Sequence, residues 1–449
     1  MVFSHESDMR NNYKQWNWIA LVCGLVSNLF VTTPVGRVAM LDIAAYVCGP
    51  LFLLQDFSRQ TKVERRMSFF ALLWLFGGVL SDMVRGTPFD IALKGDMIIF
   101  NAACLFWMGC GICRRSPGAL VWFTVSAAMS TFISLYYFQN GALLAQAIRL
   151  GGMNRAGALS DFLVAKMKYP IYFGVGMYTC LMPLRLRGWI PWWVCIGGYF
   201  AFGVFILLEG EGRSSCLMAV ASAGMIFLYA YTPKILSTFF RNRIRTILVV
   251  LIAAVAANYA YYGLAKMGLL GEGGLKKYEE RMSGEISALD DRADLLINWP
   301  FLWRSPLVGA GCEMIDRWGY VDASPHVAHV DAAGRFIHHE KLYGHSCLVG
   351  AWTQCGIWGL FFWLYAMMLL IKVFGDRIQD LGDFGPFLMA LSIGFMWNIM
   401  FSPYGMFRGR VMFLLAFLCI GGSPRGVEMM RMYYTQQVDW MKRRLPWRN

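Results

Sequence analysis

Apolar runs of helix length, each bounded by charged residues or by glycine and proline, recur along almost the whole 449-residue chain. A hydrocarbon core of about 30 Å takes roughly 20 apolar residues per helix. By that measure the runs predict twelve spanning helices, over residues 16–31, 38–54, 68–83, 97–113, 119–138, 170–183, 190–208, 214–231, 246–264, 347–371, 384–400 and 411–421. The first run carries no small-residue cleavage site and is followed by others, so it reads as an anchor and not a removed signal. Two polar segments interrupt the series. Residues 139–169 show apolar positions at helical spacing between glycine breaks, the pattern of short amphipathic helices lying at an interface. Residues 265–346 form a much longer loop, helical in pattern from 276 to 299 and closed by Pro300 and the Gly309/Gly311 pair. The predicted fold class is therefore an all-α polytopic membrane protein. Residues 1–264 carry nine spans, 265–346 a partly helical loop, and 347–449 three further spans and a basic tail.

Composition sharpens this picture. Hydrophobic residues make up 57% and charged residues 15% of the chain, against about 25% charged in a soluble domain. A water-soluble globule, a disordered chain, collagen and a disulfide scaffold are all excluded. Most of the 12 cysteines sit inside apolar runs, where cysteine behaves as a small hydrophobe. The net charge of +13 would suggest nucleic acid in a soluble protein. In a membrane protein it reflects orientation signals and contact with anionic lipid or phosphate, so no nucleic-acid partner is expected. With the N-terminus inside, 22 Lys and Arg fall on the inner side and 10 on the outer, the long loop left aside. Both termini are then cytoplasmic, and both polar segments face outward. Two large segments on one face suggest chemistry at that membrane surface, which a pore would not require.

The candidate chemistry lies in these outward segments. The first carries Arg149, Arg155, Lys166 and Lys168, which serve either lipid headgroups or an anionic ligand. At the 208–214 junction Arg213 follows Glu209 and Glu211. Two readings fit it: a local ion pair, or an anion site in which Gly212 admits close backbone approach and Ser214/Ser215 cap the next helix. Arg292 sits among Asp290, Asp291 and Asp294, none of them three or four residues away and so none facing it along a helix. Five of the six histidines fall within 20 residues: His326, His329, His338, His339 and His345. Their spacing matches no closed zinc site, and no metal is expected. His345 stands at the start of an apolar run, where a neutral imidazole can take a proton near pH 7. An interfacial hydrogen bond is its plain alternative.

Several of these residues together resemble a known family. His345, with apolar Leu348 three residues on and Gly356 and Gly359 beyond, resembles the H-[NS]-x-x-L…G-x-x-G signature of the O-antigen ligase/polymerase superfamily. Arg292, Trp299, Pro306 and Gly309-Ala310-Gly311 resemble its R…W…P-x-x-G-x-G stretch. Arg213 is similar to its small-residue-then-Arg motif, and Arg155-Ala156-Gly157 to its R-x-G element. The four elements occur in order over about residues 150–360. Gly212 replaces a commoner Ser, and Ser346 a commoner Asn.

The resemblance implies a GT-C-like membrane glycosyltransferase, and at this length most closely a lipopolysaccharide O-antigen ligase. The donor it implies is O-antigen on undecaprenyl diphosphate and the acceptor a sugar hydroxyl of lipid A–core, both at the periplasmic leaflet of the bacterial inner membrane. Arg155, Arg213 and Arg292 would hold the diphosphate, and His345 would be the base. Glu209 or Glu211 is the alternative base, while Arg149, His338 and His339 would be accessory. No cofactor is implied, and the chain contains no D-x-D triplet, in keeping with metal-independent, inverting transfer. An O-antigen polymerase and a lipid-linked glycan transporter are the rival readings; spans poor in charge, Asp42 and Asp82 excepted, disfavour the transporter.

Overall fold

A computed structural model describes residues 2–33, 36–139, 190–210, 213–232, 294–319, 346–377, 384–401 and 408–421, with isolated positions at 184, 234–268, 342 and 426–432. Among the described residues there are twelve α-helices and one short β-hairpin. The helices are α1 (Val2–Leu25), α2 (Met40–Gln55), α3 (Lys62–Arg85), α4 (Phe89–Arg115), α5 (Ala119–Gln139), α6 (Trp192–Gly210), α7 (Arg213–Tyr231), α8 (Asp294–Arg304), α9 (Cys347–Cys355), α10 (Ile357–Arg377), α11 (Phe384–Phe401) and α12 (Arg408–Gly421). The hairpin joins α1 to α2: β1 (Phe30–Thr33) pairs antiparallel with β2 (Gly36–Ala39), placing Val31 opposite Val38. The first apolar run therefore does not continue as helix to residue 31, because β-branched Val31, Thr32 and Thr33 extend as strand.

Among the described residues, three helices are long and apolar enough to cross a membrane: Lys62–Arg85, Phe89–Arg115 and Ile357–Asp376. Their surfaces agree with that. Along the apolar part of α3 the exposed side chains include Phe69, Leu72, Phe76, Val79 and Met83, at spacings of three and four. That is a continuous apolar stripe which water would not tolerate and hydrocarbon would. The opposite face of α3 buries Met67, Ala71, Trp74, Ser81 and Asp82. The second half of α4 is enclosed all round, with every residue from Asn101 to Cys113 buried. Apolar surroundings supply little hydrophobic drive between helices, so close contact comes from small residues at crossings. A Cβ on Gly49 would strike the Cys104 carbonyl, one on Gly109 would meet Ala416, and Phe123 stacks on Phe413 at 3.9 Å.

The loop between α2 and α3 shows how the far end of this layer is fixed. Thr61 caps α3 by accepting from the Glu64 amide at 3.2 Å, while Glu64 Oε2 accepts from the Thr61 amide at 2.6 Å. Glu64 also pairs with Arg114 at 2.5 Å, and Asp56 pairs with Arg114 and Arg115 at 2.9 and 2.6 Å. Glu64 and Asp56 are buried, so each carboxylate needs these partners. The Arg115 guanidinium lies over the rings of Trp16 and Phe52, 5.0 Å from each. Arg114 and Arg115 are thus structural charges. Gly86 ends α3 in the left-handed region at φ 65°.

Two further departures from the apolar pattern matter for the site. Pro300 does not close the loop helix but lies inside α8, which runs on to Arg304. The lost hydrogen bond is outweighed because Phe301 and Leu302, beyond the proline, enter a second core with Ala310, Leu342 and Val349. The run 347–371 is likewise not one helix. It breaks at Gly356, whose φ of 67° and ψ of −162° are open to glycine alone.

Candidate functional site

The break at Gly356 creates a short helix with two dependent ends. At its start Ser346 accepts from the Val349 amide at 3.2 Å and donates to the Ile399 carbonyl of α11 at 3.0 Å. At its finish the last carbonyls of α9 have no helical donors left. The stretch after α8 supplies them: the Ala310 amide donates to Thr353 O at 2.7 Å and the Gly311 amide to Gln354 O at 3.0 Å. In return the Ile357 amide, first in α10, donates to Pro306 O at 2.8 Å. Asn298 of α8 donates to Thr353 Oγ1 at 3.2 Å. The approach is so close that a Cβ on Gly309 would lie 2.6 Å from Gln354 O, and one on Gly356 would collide with the Leu307 carbonyl. Gly359 allows α10 to press back on α9, since a Cβ there would lie 2.5 Å from Ala351 O. The P-x-x-G-x-G stretch and the G-x-x-G pair are therefore two halves of one interlocked unit.

The end of α3 holds that unit from the other side. Ser81 donates to Val308 O, and Arg85 donates through Nε to Gly309 O at 2.7 Å and through Nη2 to Ser305 Oγ at 2.5 Å. Asp82 Oδ1 accepts from the Cys312 amide at 2.7 Å. The Arg85 guanidinium also stands 5.5 Å from the Trp318 ring, and Arg317 donates to the Arg85 carbonyl. Burial, and after it the neighbouring Asp82 carboxylate, push the Cys312 thiol above its ordinary value.

Of the residues singled out from sequence, Arg149, Arg155, Glu211, Arg292, His338, His339 and His345 lie outside the described residues. Glu209 and Arg213 are placed by backbone only. Glu209 is in the last turn of α6 and Arg213 opens α7, so both stand at the tip of one helical hairpin with two residues between the helices. His345 immediately precedes the Ser346 cap in sequence. Ser81, Arg85, Asp96 and Gln354 belong to no motif in the sequence, and Cys312 stands there only as a lone cysteine ahead of the histidines. Asp82 had one signal, as a carboxylate inside an otherwise charge-poor apolar run.

These features define an α-helical membrane protein in which the stretch 305–312 is seated on one end of the helix layer. The chain matches no family model, and no curated protein matches it in sequence.

Proposed function

We propose that this protein is a glycosyltransferase that moves a glycan from undecaprenyl diphosphate to a sugar hydroxyl of lipid A–core, an O-antigen ligase of the bacterial inner membrane working at the periplasmic leaflet. The observation that carries the reading is the interlock of residues 305–312 with α9. It joins two sequence elements of the resemblance through backbone hydrogen bonds, and it fixes the helix whose first turn follows His345. Pre-organised placement of reacting groups is the main demand of such a transfer. The diphosphate is already a good leaving group, so the enzyme has to align two lipids and stabilise charge on the departing oxygen. Arginines do this bidentately, and Arg155, Arg213 and Arg292 take that role. His345 takes the proton of the acceptor hydroxyl, which then attacks the anomeric carbon from the face opposite the diphosphate and inverts it. Such a base contributes about 10²–10⁴-fold.

The test is transfer in vitro by purified protein given undecaprenyl-diphosphate-linked glycan and lipid A–core. Wild type should yield slower-migrating lipopolysaccharide, and His345→Ala and Arg213→Ala should each lose at least about a hundredfold in rate. If wild type only lengthens the undecaprenyl-linked glycan, the chain is a polymerase. If folded, donor-binding protein yields neither product, the transferase reading fails.

A further inference from the structure

Where the seated loop meets the ends of α3 and α4, three metal-ligating side chains converge. One oxygen each of Asp82 and Asp96 and the sulfur of Cys312 lie within 4.8 Å of one another. They come from three separate parts of the chain, so no local sequence pattern explains their meeting. Asp82 is only 4% exposed. Its Oδ1 accepts from the Cys312 amide, but its Oδ2 is sealed from solvent and takes no hydrogen bond. Among the described residues no basic side chain forms an ion pair with either carboxylate; the three ion pairs found there all belong to Arg114 and Arg115. Arg85, the nearest arginine in sequence, is committed to Gly309 and Ser305. The side-chain donor that reaches the Asp82 carboxylate is the Cys312 thiol, whose proton a bound cation would displace; a buried carboxylate oxygen without a counter-charge is costly, and more so beside a second carboxylate.

The sulfur faces the same point. Cys312 Sγ is 4.0 Å from Asp96 Oδ1 and accepts from the Gln354 amide nitrogen at 3.0 Å. Turning that amide over would present its oxygen to the same space, as a fourth donor. Gly95 and Gly78 make room: a Cβ on Gly95 would run into the Cys312 sulfur, and one on Gly78 would lie 2.6 Å from Asp96 Oδ1.

We infer that Asp82, Asp96 and Cys312, with Gln354 beside them, form a structural divalent-cation site that clamps the loop to the helix layer. Two carboxylate oxygens and a thiolate suit Zn²⁺, which binds oxygen at about 2.0–2.2 Å and sulfur at about 2.3 Å. A tetrahedral ion of that size draws its ligand atoms to roughly 3.5 Å apart, so small side-chain movements close the set. Binding displaces the Cys312 proton to solvent and leaves a thiolate on the metal. The ion joins α3, α4 and the loop in one linkage, and it takes no part in the transfer proposed above.

The test uses the full chain, without a polyhistidine tag, stripped by chelator in detergent and titrated with Co²⁺ as a spectroscopic stand-in. Wild type should develop a thiolate-to-cobalt charge-transfer band that saturates at one ion per chain and is bleached by Zn²⁺. Cys312→Ser should lose the band while Cys216→Ser keeps it. Asp82→Asn should weaken binding by more than the roughly 10–100-fold that loss of an outer-sphere partner costs. Elemental analysis of wild type after Zn²⁺ loading and gel filtration needs no variant, and should find one zinc per chain. No band and no retained zinc in wild type, or a band that survives Cys312→Ser, would overturn the site and leave the two carboxyls sharing a proton. None of these readouts depends on glycan transfer, so the two proposals stand or fall separately.

Discussion

Replacing Gly356 by alanine separates two descriptions of the same apolar run. Were residues 347–371 a single helix, the substitution would remove an interior glycine and stabilise the protein by about 0.8–1 kcal/mol. The structure dictates the opposite sign. Gly356 has φ 67° and ψ −162°, a conformation that costs an alanine about 1–3 kcal/mol. Its Cβ would also collide with the carbonyl of Leu307 and lie 2.9 Å from the Val308 nitrogen. Neither is the end of a flexible side chain, so the stretch after α8 has to move away. Moving it breaks the Ala310–Thr353, Gly311–Gln354 and Ile357–Pro306 backbone bonds, each worth about 1 kcal/mol net. The expected loss is about 4–6 kcal/mol in all. Denaturant titration of the purified protein in mixed micelles, followed by tryptophan fluorescence, reads the change. Limited proteolysis should at the same time open residues 305–319 to cleavage. A Gly356→Ala protein as stable as wild type, or more so, would refute the interlocked break and the site built on it.

Two other substitutions probe the two ends of α3. Arg85→Ala removes the donors to Gly309 O and Ser305 Oγ, a loss of about 2–4 kcal/mol at roughly 1.5–3 per charged bond with partial solvent replacement; proteolysis within 305–319 should quicken while cleavage near Asp56 stays as in wild type. At the opposite end, Glu64→Ala leaves Arg114 with Asp56 as its remaining partner and removes the acceptor of the Thr61 amide, half of the capping box. A cost of about 3–5 kcal/mol is expected, and Glu64→Ala combined with Arg114→Ala should cost clearly less than the sum of the two single changes in a double-mutant cycle.

Much of the helix layer was legible because each helix announces itself locally. The apolar runs at 68–83 and 97–113 lie inside α3 and α4, and those at 119–138 and 384–400 sit almost end to end with α5 and α11. What the pattern missed was decided at a distance. Val31, Thr32 and Thr33 are apolar or neutral enough to pass for the end of a helix, and only pairing with 36–39 reveals the strand. Pro300 is a helix breaker by local rules, yet Phe301 and Leu302 find partners near residues 310, 342 and 349 that keep the helix going. Gly356 reads as a tolerated glycine until Leu307, some fifty positions earlier, occupies the space of its side chain. The candidate site divides in the same way. Motif residues such as Pro306, Gly309 and Gly311 stood out by spacing, whereas Ser81, Arg85 and Gln354 are ordinary polar residues whose role exists only once α3 and the loop are side by side.

The nine residues of α9 are too few for a helix that persists unaided, since isolated helices shorter than about 12–15 residues are marginal. Its first turn leans on Ser346 and α11, and its last carbonyls are filled by residues 310 and 311. The order of synthesis then matters. α3 leaves the ribosome first and the loop's 305–312 stretch much later, but both precede α9, so its C-terminal docking surface can exist before the helix is made. α11, which anchors the N-terminal end, follows it. α9 is consequently set in place only when a later part of the chain has been inserted, near the end of biogenesis. A chain truncated before α11 would retain the seat for this helix without the means to hold it there.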